Sequence, residues 1–526
     1  MNAMTANIPL ASIVTFLPLA GALLLVFFRG ESAKAIRTAA LAVSLLTFAL
    51  SLLLFFGFDG KAGLPEFVEH SPWIGRGIDY HVGVDGISLF LVLLAAFLTP
   101  LALLSSWRAV NDRVKEFSFF MLVLETGMIG VFVSLNLFLF YVFWEAMLIP
   151  MYFIIGIWGG RRRVYATLKF VIFTMFGSLL MLVAILVLYA QYYKVTGAYS
   201  LSVLDYYGLT LGTGTQTWLF LAFALAFAVK VPLFPLHTWL PDAHVEAPTP
   251  GSVILAAVLL KMGAYGFIRF VLPLFPEATR RFLPWLSLLA VFGIIYGGLM
   301  ALVQKDMKSL VAYSSISHMG LIMLAVFSLN FEALEGALFQ MLSHGLSTGA
   351  LFLCVGILYE RSHTWRIKDF GGVGKRMPVF SALFLIVMLS SMGLPGLNGF
   401  VGEVLCFFGI FTLNRALVVP AVVTGILSAA YLLWLFQRVM HGPIDHEPIR
   451  AFKDIGKREL AFLVPVIVLM FWMGIFPGPF LRKMDASVAR ALALAGGKER
   501  VSLTSGPAIA KSPGVLGADS GMRETR

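Results

Sequence analysis

Long runs of apolar residues alternate with short polar segments along the chain, from Ile8 to Phe476. A helix needs about 20 mostly apolar residues to cross the hydrocarbon core of a bilayer. About fourteen runs have that size, at 8–28, 35–56, 84–106, 116–134, 136–158, 165–190, 217–238, 250–271, 282–303, 309–328, 333–359, 379–412, 417–438 and 460–476. The pattern predicts an all-α membrane protein with about 14 transmembrane helices.

Two of these helices contain helix-breaking residues beside an ionisable side chain. Lys230 is followed by VPLFP, and Glu403 is preceded by GLPGLNG. An interior proline frees a backbone carbonyl, and membranes tolerate this only where protein or water lies beside it. The breaks therefore predict a hydrated cavity next to each of the two side chains. A kink that serves only helix packing is the alternative.

The ionisable positions also repeat at a fixed spacing. Glu145 and Lys230 are 85 residues apart, and so are His318 and Glu403. Together with the matched breaks, this spacing predicts two five-helix units, at about 116–271 and 282–438. Because five is an odd number, the second unit enters the membrane from the opposite side. The prediction is an inverted repeat, as in many transporters.

Three further segments complete the predicted organisation. About three amino-terminal spans occupy 1–115, and a last span lies within 439–480. The remainder, 481–526, is a polar tail that starts with a short amphipathic piece. The part that follows this piece is rich in Gly, Ser, Pro and Ala, which predicts disorder.

Composition and charge fit a bilayer environment. The 526 residues are 59% hydrophobic and 13% charged, whereas about a quarter of a soluble globular protein is charged. The net charge of +11 does not require nucleic acid, because one set of alternate loops holds 21 Lys and Arg residues and the other holds 6. Basic loops face the cytoplasm. We therefore expect a multi-pass protein of a bacterial cytoplasmic membrane, with both termini periplasmic.

Ionisable residues within the predicted helices are the functional candidates, since a charge at the bilayer centre costs about 2.5–3.5 kcal/mol. The main candidates lie on separate helices and are Glu145, Lys230, Lys261, His318, His344 and Glu403. The secondary candidates are Glu125, Lys169 and His237. For each, a structural role is the alternative: an ion pair between helices, a hydrogen-bonded histidine, or, for Lys169, an amine that reaches the basic run at 161–163.

Together the main candidates predict a proton relay, which a pore for a bulky solute would not need. Burial destabilises a lysine cation, and a nearby carboxylate stabilises it. We expect Lys230 to hold a proton while Glu145 is close, and to release it when Glu145 is drawn away. Lys261 and the two histidines would pass the proton sideways within the membrane. Glu403 would deliver it to the outer face.

Redox chemistry is not expected in this chain. Cys354 and Cys406 are far apart in the sequence and have no metal-binding or redox spacing. We predict that both are buried apolar fillers. No haem, iron–sulfur or zinc site is expected, so the driving energy must come from elsewhere.

Four stretches carry a resemblance to a known family. They are KVPLFPLHTWLPDAHVEAPTPGSVILAAVLLKMGAYG, DMKSLVAYSSISHMG, EGALFQMLSHGLSTGALFLCVGILYER and GLPGLNGFVGE. From about Asp79 to Phe476, the chain closely resembles the antiporter-like subunits of respiratory complex I, the proton-pumping NADH–quinone oxidoreductase. The amino-terminal spans and the tail carry little of this signal.

The resemblance implies both residues and partners. The family's central glutamate, lysines and acid, and its two histidines, correspond to Glu145, Lys230, Lys261, Glu403, His318 and His344. It implies a translocase whose other subunits hold NADH, FMN, iron–sulfur clusters and quinone, with no cofactor in this chain and antiporter-like subunits as neighbours. A subunit of a cation/proton antiporter or of a membrane-bound hydrogenase is the alternative, and a structural spacer is a third. The HVEAPTPGSVILAA and SHTWRIKDFGG stretches favour complex I.

Overall fold

The computed structural model describes residues 8–30 and 32–496. Within those residues, eleven helices are long and apolar enough to cross a membrane, and three shorter apolar helices accompany them. The prediction of an all-α membrane protein is confirmed. The first seven residues and the tail after 496 lie outside the described residues. The predicted periplasmic position of both termini and the predicted disorder of the tail therefore stay predictions.

The chain begins with two helices, a hairpin and a third helix, namely α1 (Leu10–Val26), α2 (Ala33–Gly57), β1 (Glu66–Gly75), β2 (Ile78–Val84) and α3 (Leu89–Ala109). The first five-helix unit follows, with α4 (Val114–Val133), α5 (Leu137–Ala146), α6 (Leu148–Trp158), α7 (Arg163–Thr196), α8 (Val203–Tyr206), α9 (Thr213–Lys230), α10 (Trp239–Glu246), α11 (Thr249–Ile254), α12 (Leu260–Gly266) and α13 (Leu272–Leu274).

The second five-helix unit contains α14 (Pro276–Leu302), α15 (Met307–Val326), α16 (Phe331–Ser362), α17 (Pro378–Ser391), α18 (Asn398–Leu413) and α19 (Arg415–Met440), with 3₁₀ turns at Ile367–Asp369 and Val373–Lys375. The chain continues through α20 (Glu447–Arg450), α21 (Lys457–Ile475) and α22 (Gly478–Ala495). The last of these helices covers the predicted amphipathic piece. Where the predicted segments begin and end as domains stays a prediction.

In each unit, the fourth membrane-crossing element is broken, as its prolines predict. The runs at 217–238 and 379–412 are not continuous helices: turns separate α9 from α10 and α17 from α18. The first break frees backbone carbonyls, and the Trp239 indole donates a hydrogen bond to one of them, that of Val229, at 2.9 Å. A side chain therefore satisfies a carbonyl that lipid would leave unpaired.

Two further irregularities have no signal in the apolar pattern. The fifth predicted span, at 136–158, is interrupted at Met147, between α5 and α6. The eighth span contains two π-helical turns, Leu255–Leu259 and Phe267–Val271, on either side of α12. Such turns insert an extra residue into a helix and often accompany functional sites. Both irregularities lie next to a main candidate, Glu145 in one case and Lys261 in the other.

The segment before α3, predicted only as a loop at 57–83, forms an antiparallel hairpin. Strand β1 pairs with β2 in a register that places His70 opposite His81 and Ser71 opposite Tyr80. The hairpin is joined to α1, because the Ser12 backbone N–H donates to Glu69 Oε1 at 3.1 Å and the Ser12 hydroxyl lies 2.5 Å from the Tyr80 hydroxyl. The span predicted from residue 84 consequently starts later, at Leu89.

The helices at the centre of the bundle carry three of the six main candidates, Lys261, His318 and His344. The apolar stretches of α16 and of Thr249–Leu274 are fully buried, and those of α3 and α15 are nearly so. In contrast, less than half of the apolar stretch is buried in four outer helices, α2, α7, α14 and α19. Large apolar side chains such as Phe176, Phe292 and Ile426 are exposed on them. Charged residues in membranes face the bundle interior. The outer helices therefore separate the candidates from lipid.

A buried ion pair joins the start of α3 to the second π-helical turn. Arg269 Nη2 lies 2.6 Å from Asp85 Oδ2, and both side chains are buried. The other carboxylate oxygen of Asp85 accepts the backbone N–H groups of Ile87 and Ser88 at 3.1 and 3.0 Å. The sequence prediction missed this pair, although an arginine inside the predicted span at 250–271 was a usable signal.

Asp85→Asn should destabilise the protein by about 3 kcal/mol, because removing one partner of a buried pair leaves an uncompensated charge. The matched control is Asp59→Asn, since Asp59 pairs with Lys61 at the surface, where solvent screens the two charges and loss of the pair costs little. Thermal unfolding of the purified protein measures both. If the two variants unfold at the same temperature, the buried pair does not stabilise the protein more than the surface pair does, and this prediction is wrong.

Candidate functional site

The first pair of candidates lies where α5 and α9 end. Lys230 is the last residue of α9 and is almost completely buried. Its amine lies 5.2 Å from the centre of the Trp144 ring and 5.6 Å from that of Phe170, distances at which aromatic faces attract a cation. Among the described residues, it has no hydrogen-bond partner. The cation is thus held mainly by aromatic rings.

Glu145 is the nearby carboxylate. It lies next to Trp144 in the last turn of α5, just before the interruption at Met147, and it interacts electrostatically with Lys230. Within the described part of the chain, the two side chains form no ion pair at 4.0 Å or less, and Glu145 Oε1 is buried without a hydrogen-bond partner. At this separation, a small shift of either helix end strengthens or weakens the electrostatic attraction between the two side chains.

The two lysine-bearing helices are in direct contact. Gly263 of α12 faces the end of α9 so closely that a Cβ at this position would lie 2.7 Å from the Phe227 carbonyl oxygen and 2.9 Å from the Val231 nitrogen. A larger residue would push the helices apart. The glycine therefore brings the backbone that carries Lys261 against the break that follows Lys230.

Lys261 makes the first contact of a continuous buried row. Its amine donates to the Ala256 carbonyl oxygen, in the first π-helical turn, at 2.7 Å, and lies 2.7 Å from His344 Nδ1. Both side chains are buried. A direct hydrogen bond between an amine and an imidazole is a route for a proton, since an imidazole accepts at one nitrogen and donates at the other.

The row continues through the second histidine to the acid. The rings of His344 and His318 are 5.5 Å apart between their centres, and His318 Nδ1 lies 3.6 Å from Glu403 Oε1. Gln340 Nε2 donates to the same carboxylate oxygen at 3.4 Å. The structure therefore brings four candidates together. Lys261, His344 and His318 come from three separate helices, and Glu403 comes from the second broken helix.

Gly393, in the break between α17 and α18, controls the room around the carboxylate. Its φ of +72° suits glycine, and a Cβ there would lie 2.5 Å from Glu403 Oε2. Gly396 has a φ of +91° in the same turn, and a Cβ there would meet nothing within 4 Å. The two glycines thus share the backbone requirement, but only one of them contacts the candidate acid.

Gly393→Ala should therefore lower proton translocation by the assembled protein several-fold, because the added Cβ displaces the carboxylate from its position beside His318. Gly396→Ala carries the same backbone strain and should leave translocation near the wild-type rate. Proton uptake into membrane vesicles measures both variants at matched protein levels. If both lose activity equally, backbone strain alone is responsible and the account of Gly393 is wrong.

The three secondary candidates occupy different settings. Lys169 forms an ion pair with Asp242 at 2.7 Å. The Glu125 carboxylate is fully buried and, in the part of the chain that the structure describes, neither oxygen has a hydrogen-bond partner. His237 stacks on Phe234, with ring centres 5.4 Å apart. None of the three makes a direct contact with the row among the described residues.

Sequence reasoning missed a second buried cation besides Arg269. Lys308, counted with the loop at 304–308, lies in the first turn of α15 and is buried. Its amine donates to the carbonyl oxygen of Ala247, just after α10, at 2.5 Å and lies 4.3 Å from the Trp365 ring centre. The sequence gives no signal for its burial, because a lysine at the start of a helix is usually solvated.

A second histidine of the first break, His244, is not among the candidates predicted from the sequence. His244 is fully buried and stacks on Phe352, with ring centres 4.7 Å apart. It interacts electrostatically with both Lys261 and Lys308. Both of its ring nitrogens are without a hydrogen-bond partner in residues 8–30 and 32–496. His244 therefore occupies the space between the missed cation and the row.

The two cysteines are free and buried, as predicted. Over the described residues, no group of three or more His, Cys, Asp or Glu side chains is arranged to hold a metal ion. The chemistry that the site offers is that of lysine, histidine and carboxylate: holding and moving protons.

Two broken helices and a buried ionisable row define an antiporter-like membrane subunit. Residues 134–428 match the family described as "NADH:quinone oxidoreductase/Mrp antiporter, TM". NADH-quinone oxidoreductase subunit M of Rhodobacter capsulatus is 48% identical over 492 residues, which cover 91% of this chain and 96% of the relative. The chain belongs to the antiporter-like membrane subunits of NADH:quinone oxidoreductase, in the subunit M branch, and is thus a subunit of a translocase.

Solved structures agree. A chain of respiratory complex I from Thermus thermophilus superposes with a TM-score of 0.84 at 34% identity, over 93% of this chain and 100% of that one. A chain of the Mrp complex from a Dietzia species gives a TM-score of 0.81 at 20% identity, over 95% and 100% of the two chains. The second likeness concerns the fold alone. The resemblance to complex I subunits that the motifs indicated is confirmed.

Proposed function

We propose that this chain translocates protons across a bacterial cytoplasmic membrane, from the cytoplasm to the periplasm, through a buried relay of glutamate, lysine and histidine. The observation that carries the proposal is the row of direct or near contacts from Lys261 through His344 and His318 to Glu403. An ionisable row of this length is costly inside a membrane bundle unless it has a function.

Lys230 acts as the switch. Aromatic rings hold its cation and Glu145 is nearby but not in contact, so a small movement of Glu145 changes the cost of keeping the charge. When Glu145 approaches, the proton stays on Lys230. When Glu145 withdraws, the desolvated cation releases its proton towards Lys261.

Transfer along the row proceeds within the membrane plane. Lys261 passes a proton to His344 Nδ1, and the ring releases another from Nε2 towards His318. Histidine suits this step because its free pKa of about 6.5 lies near neutral pH. Glu403 takes the proton and delivers it to the periplasmic face.

Ordered water completes the path where side chains do not touch. Buried polar atoms that lack a protein partner among the described residues include Lys230 Nζ, Glu145 Oε1 and His344 Nε2. Buried atoms of this kind normally bind water. The two helix breaks supply the hydrated connections to the membrane faces, one beside Lys230 and the other beside Glu403.

The driving energy comes from outside this chain. Moving one charge against 100 mV costs about 2.3 kcal/mol. Quinone reduction elsewhere in the complex supplies it, with NADH, FMN, iron–sulfur clusters and quinone bound by other subunits. Neighbouring antiporter-like subunits transmit the change to Glu145 and Lys230.

His344→Gln tests the proposed relay, because glutamine hydrogen-bonds but cannot pass a proton through its amide. His363→Gln is the matched control, since His363 is exposed at the end of the same helix. In vesicles containing the whole complex, His344→Gln should reduce protons translocated per NADH oxidised, and His363→Gln should not. Unchanged stoichiometry in His344→Gln would show that protons do not take this route.

A further inference from the structure

A polar cleft of about 970 Å³ opens on the face that carries the Lys- and Arg-rich loops. The end of α14, the start of α15, the segment at 366–370 and the end of α19 form its walls. Its charged lining consists of Lys305, Asp306, Arg366, Lys368 and Arg438. The cleft lies apart from the buried row, and the relay has no use for it.

The cleft is strongly basic. None of the four cations forms an ion pair at 4.0 Å or less with any residue that the structure describes. The single acid, Asp306, is already used, because its carboxylate accepts the Ser309 backbone N–H at 2.7 Å as the cap of α15. The net charge of the lining therefore favours an anion.

One of the cations points to a ligand by itself. Arg438 Nε and Nη2 are buried, and neither has a hydrogen-bond partner among residues 8–30 and 32–496. The guanidinium lies 3.7 Å from the centre of the Trp434 ring, which holds its plane in one orientation. A fixed guanidinium with free N–H groups is suited to a phosphate oxygen.

The backbone makes this a preformed cleft. The Ile367 N–H donates to the Lys305 carbonyl at 3.0 Å, and the Met307 N–H donates to the Trp365 carbonyl at 3.0 Å. The two segments that carry most of the cations are thereby held together as a short antiparallel pair. An anion would bind here without first ordering a loop.

The rim of the cleft is apolar. Val303 is 65% exposed and Trp434 is 44% exposed, and both sit at the ends of the outer helices α14 and α19. Tryptophan at such a boundary is typical of the membrane interface. A ligand with a phosphate head and an apolar body would meet cations and this rim at the same time.

We propose that this cleft binds the headgroup phosphate of an anionic phospholipid, with its acyl chains along α14 and α19. Basic pockets between transmembrane helices on the cytoplasmic side bind such headgroups. A free phosphate ion shares the recognising chemistry but would make no use of the apolar rim. The bound lipid would hold the cleft-lining segment at 366–370 against the bilayer.

The test uses the whole complex, purified in mild detergent and exchanged into bilayer discs of phosphatidylglycerol or phosphatidylcholine. Native mass spectrometry then counts the lipids retained after detergent is added back. The variants are Arg438→Gln and Lys368→Gln, with Arg376→Gln as the control. Arg376 is exposed in the same loop and does not line the cleft. Inorganic phosphate is titrated as a competitor.

Retention of phosphatidylglycerol should exceed that of phosphatidylcholine and should fall about tenfold in Arg438→Gln and in Lys368→Gln, since each loses a charge-assisted hydrogen bond. Arg376→Gln should match the wild type. Equal retention in all variants, or no retention in the wild type, would overturn the proposal. Displacement by millimolar inorganic phosphate would also overturn it, in favour of a free-anion site. Lys368 is exposed, so its variant remains informative if Arg438→Gln fails to assemble.

Discussion

Lys230→Ala should abolish proton translocation by the complex while leaving its assembly intact. The amine has no hydrogen-bond partner among the described residues, so its loss removes the contacts with the Trp144 and Phe170 rings and the electrostatic interaction with Glu145. A positioned side chain contributes about 10²–10⁴-fold to proton transfer. Removing the switch should therefore reduce translocation below detection.

Glu145→Ala should give the same result, because the switch needs both members of the pair. Translocation is measured as acidification of inverted membrane vesicles on addition of NADH, and assembly as the amount of intact complex on a native gel. Lys194→Ala is the control, since Lys194 is an exposed lysine near the end of α7. Normal translocation in either Lys230→Ala or Glu145→Ala would count against the switch.

Glu403→Gln should have the second large effect. The amide keeps the size of the side chain and can still contact Gln340, but it cannot accept a proton from His318. Translocation should drop at least about tenfold, while the complex assembles normally. Membrane vesicles again provide the measurement.

Glu332→Gln is the matched control for this substitution, because Glu332 is an exposed glutamate in the first turn of α16. It should translocate protons at the wild-type rate. Full activity of Glu403→Gln would mean that the carboxylate only packs beside His318. The row would then end at the histidine.

The apolar pattern predicts most of the fold because the bilayer leaves few choices. With no water in the hydrocarbon region, a span must be a helix of about 20 residues, so counting apolar runs finds the helices. Two prolines at 231–235, and one proline with three glycines at 393–399, mark both breaks for the same reason. Irregular backbone in a membrane requires a visible cause, and proline and glycine are visible in a sequence.

What the pattern misses depends in part on tertiary contacts. Counting apolar residues overlooks Pro150, which cannot donate to the Ala146 carbonyl and so marks the interruption at Met147. The π-helical turns beside Lys261 contain no proline. Only the π-helical turns depend on how neighbouring helices pack. The hairpin before α3 lies outside the apolar runs, where an apolar count says nothing about strand pairing.

The candidate residues are predictable, but their partners are not. An ionisable residue inside an apolar run is conspicuous, which is why Lys230, Lys261 and Glu403 are found from the sequence. That Lys261 touches His344, and that Asp85 holds Arg269, depends on residues more than 80 positions apart along the chain. Lys308 escapes detection because it stands at the edge of a run and not within it.

The most direct measurement of the central claim is the number of protons translocated per NADH oxidised by a complex carrying Lys261→Met. Methionine fills the space of the lysine stem but cannot carry a proton, so the row loses its first member and the packing remains. The account predicts a stoichiometry clearly below that of the wild-type complex, at equal assembly. A wild-type stoichiometry would contradict it, because protons would then cross without using the buried row.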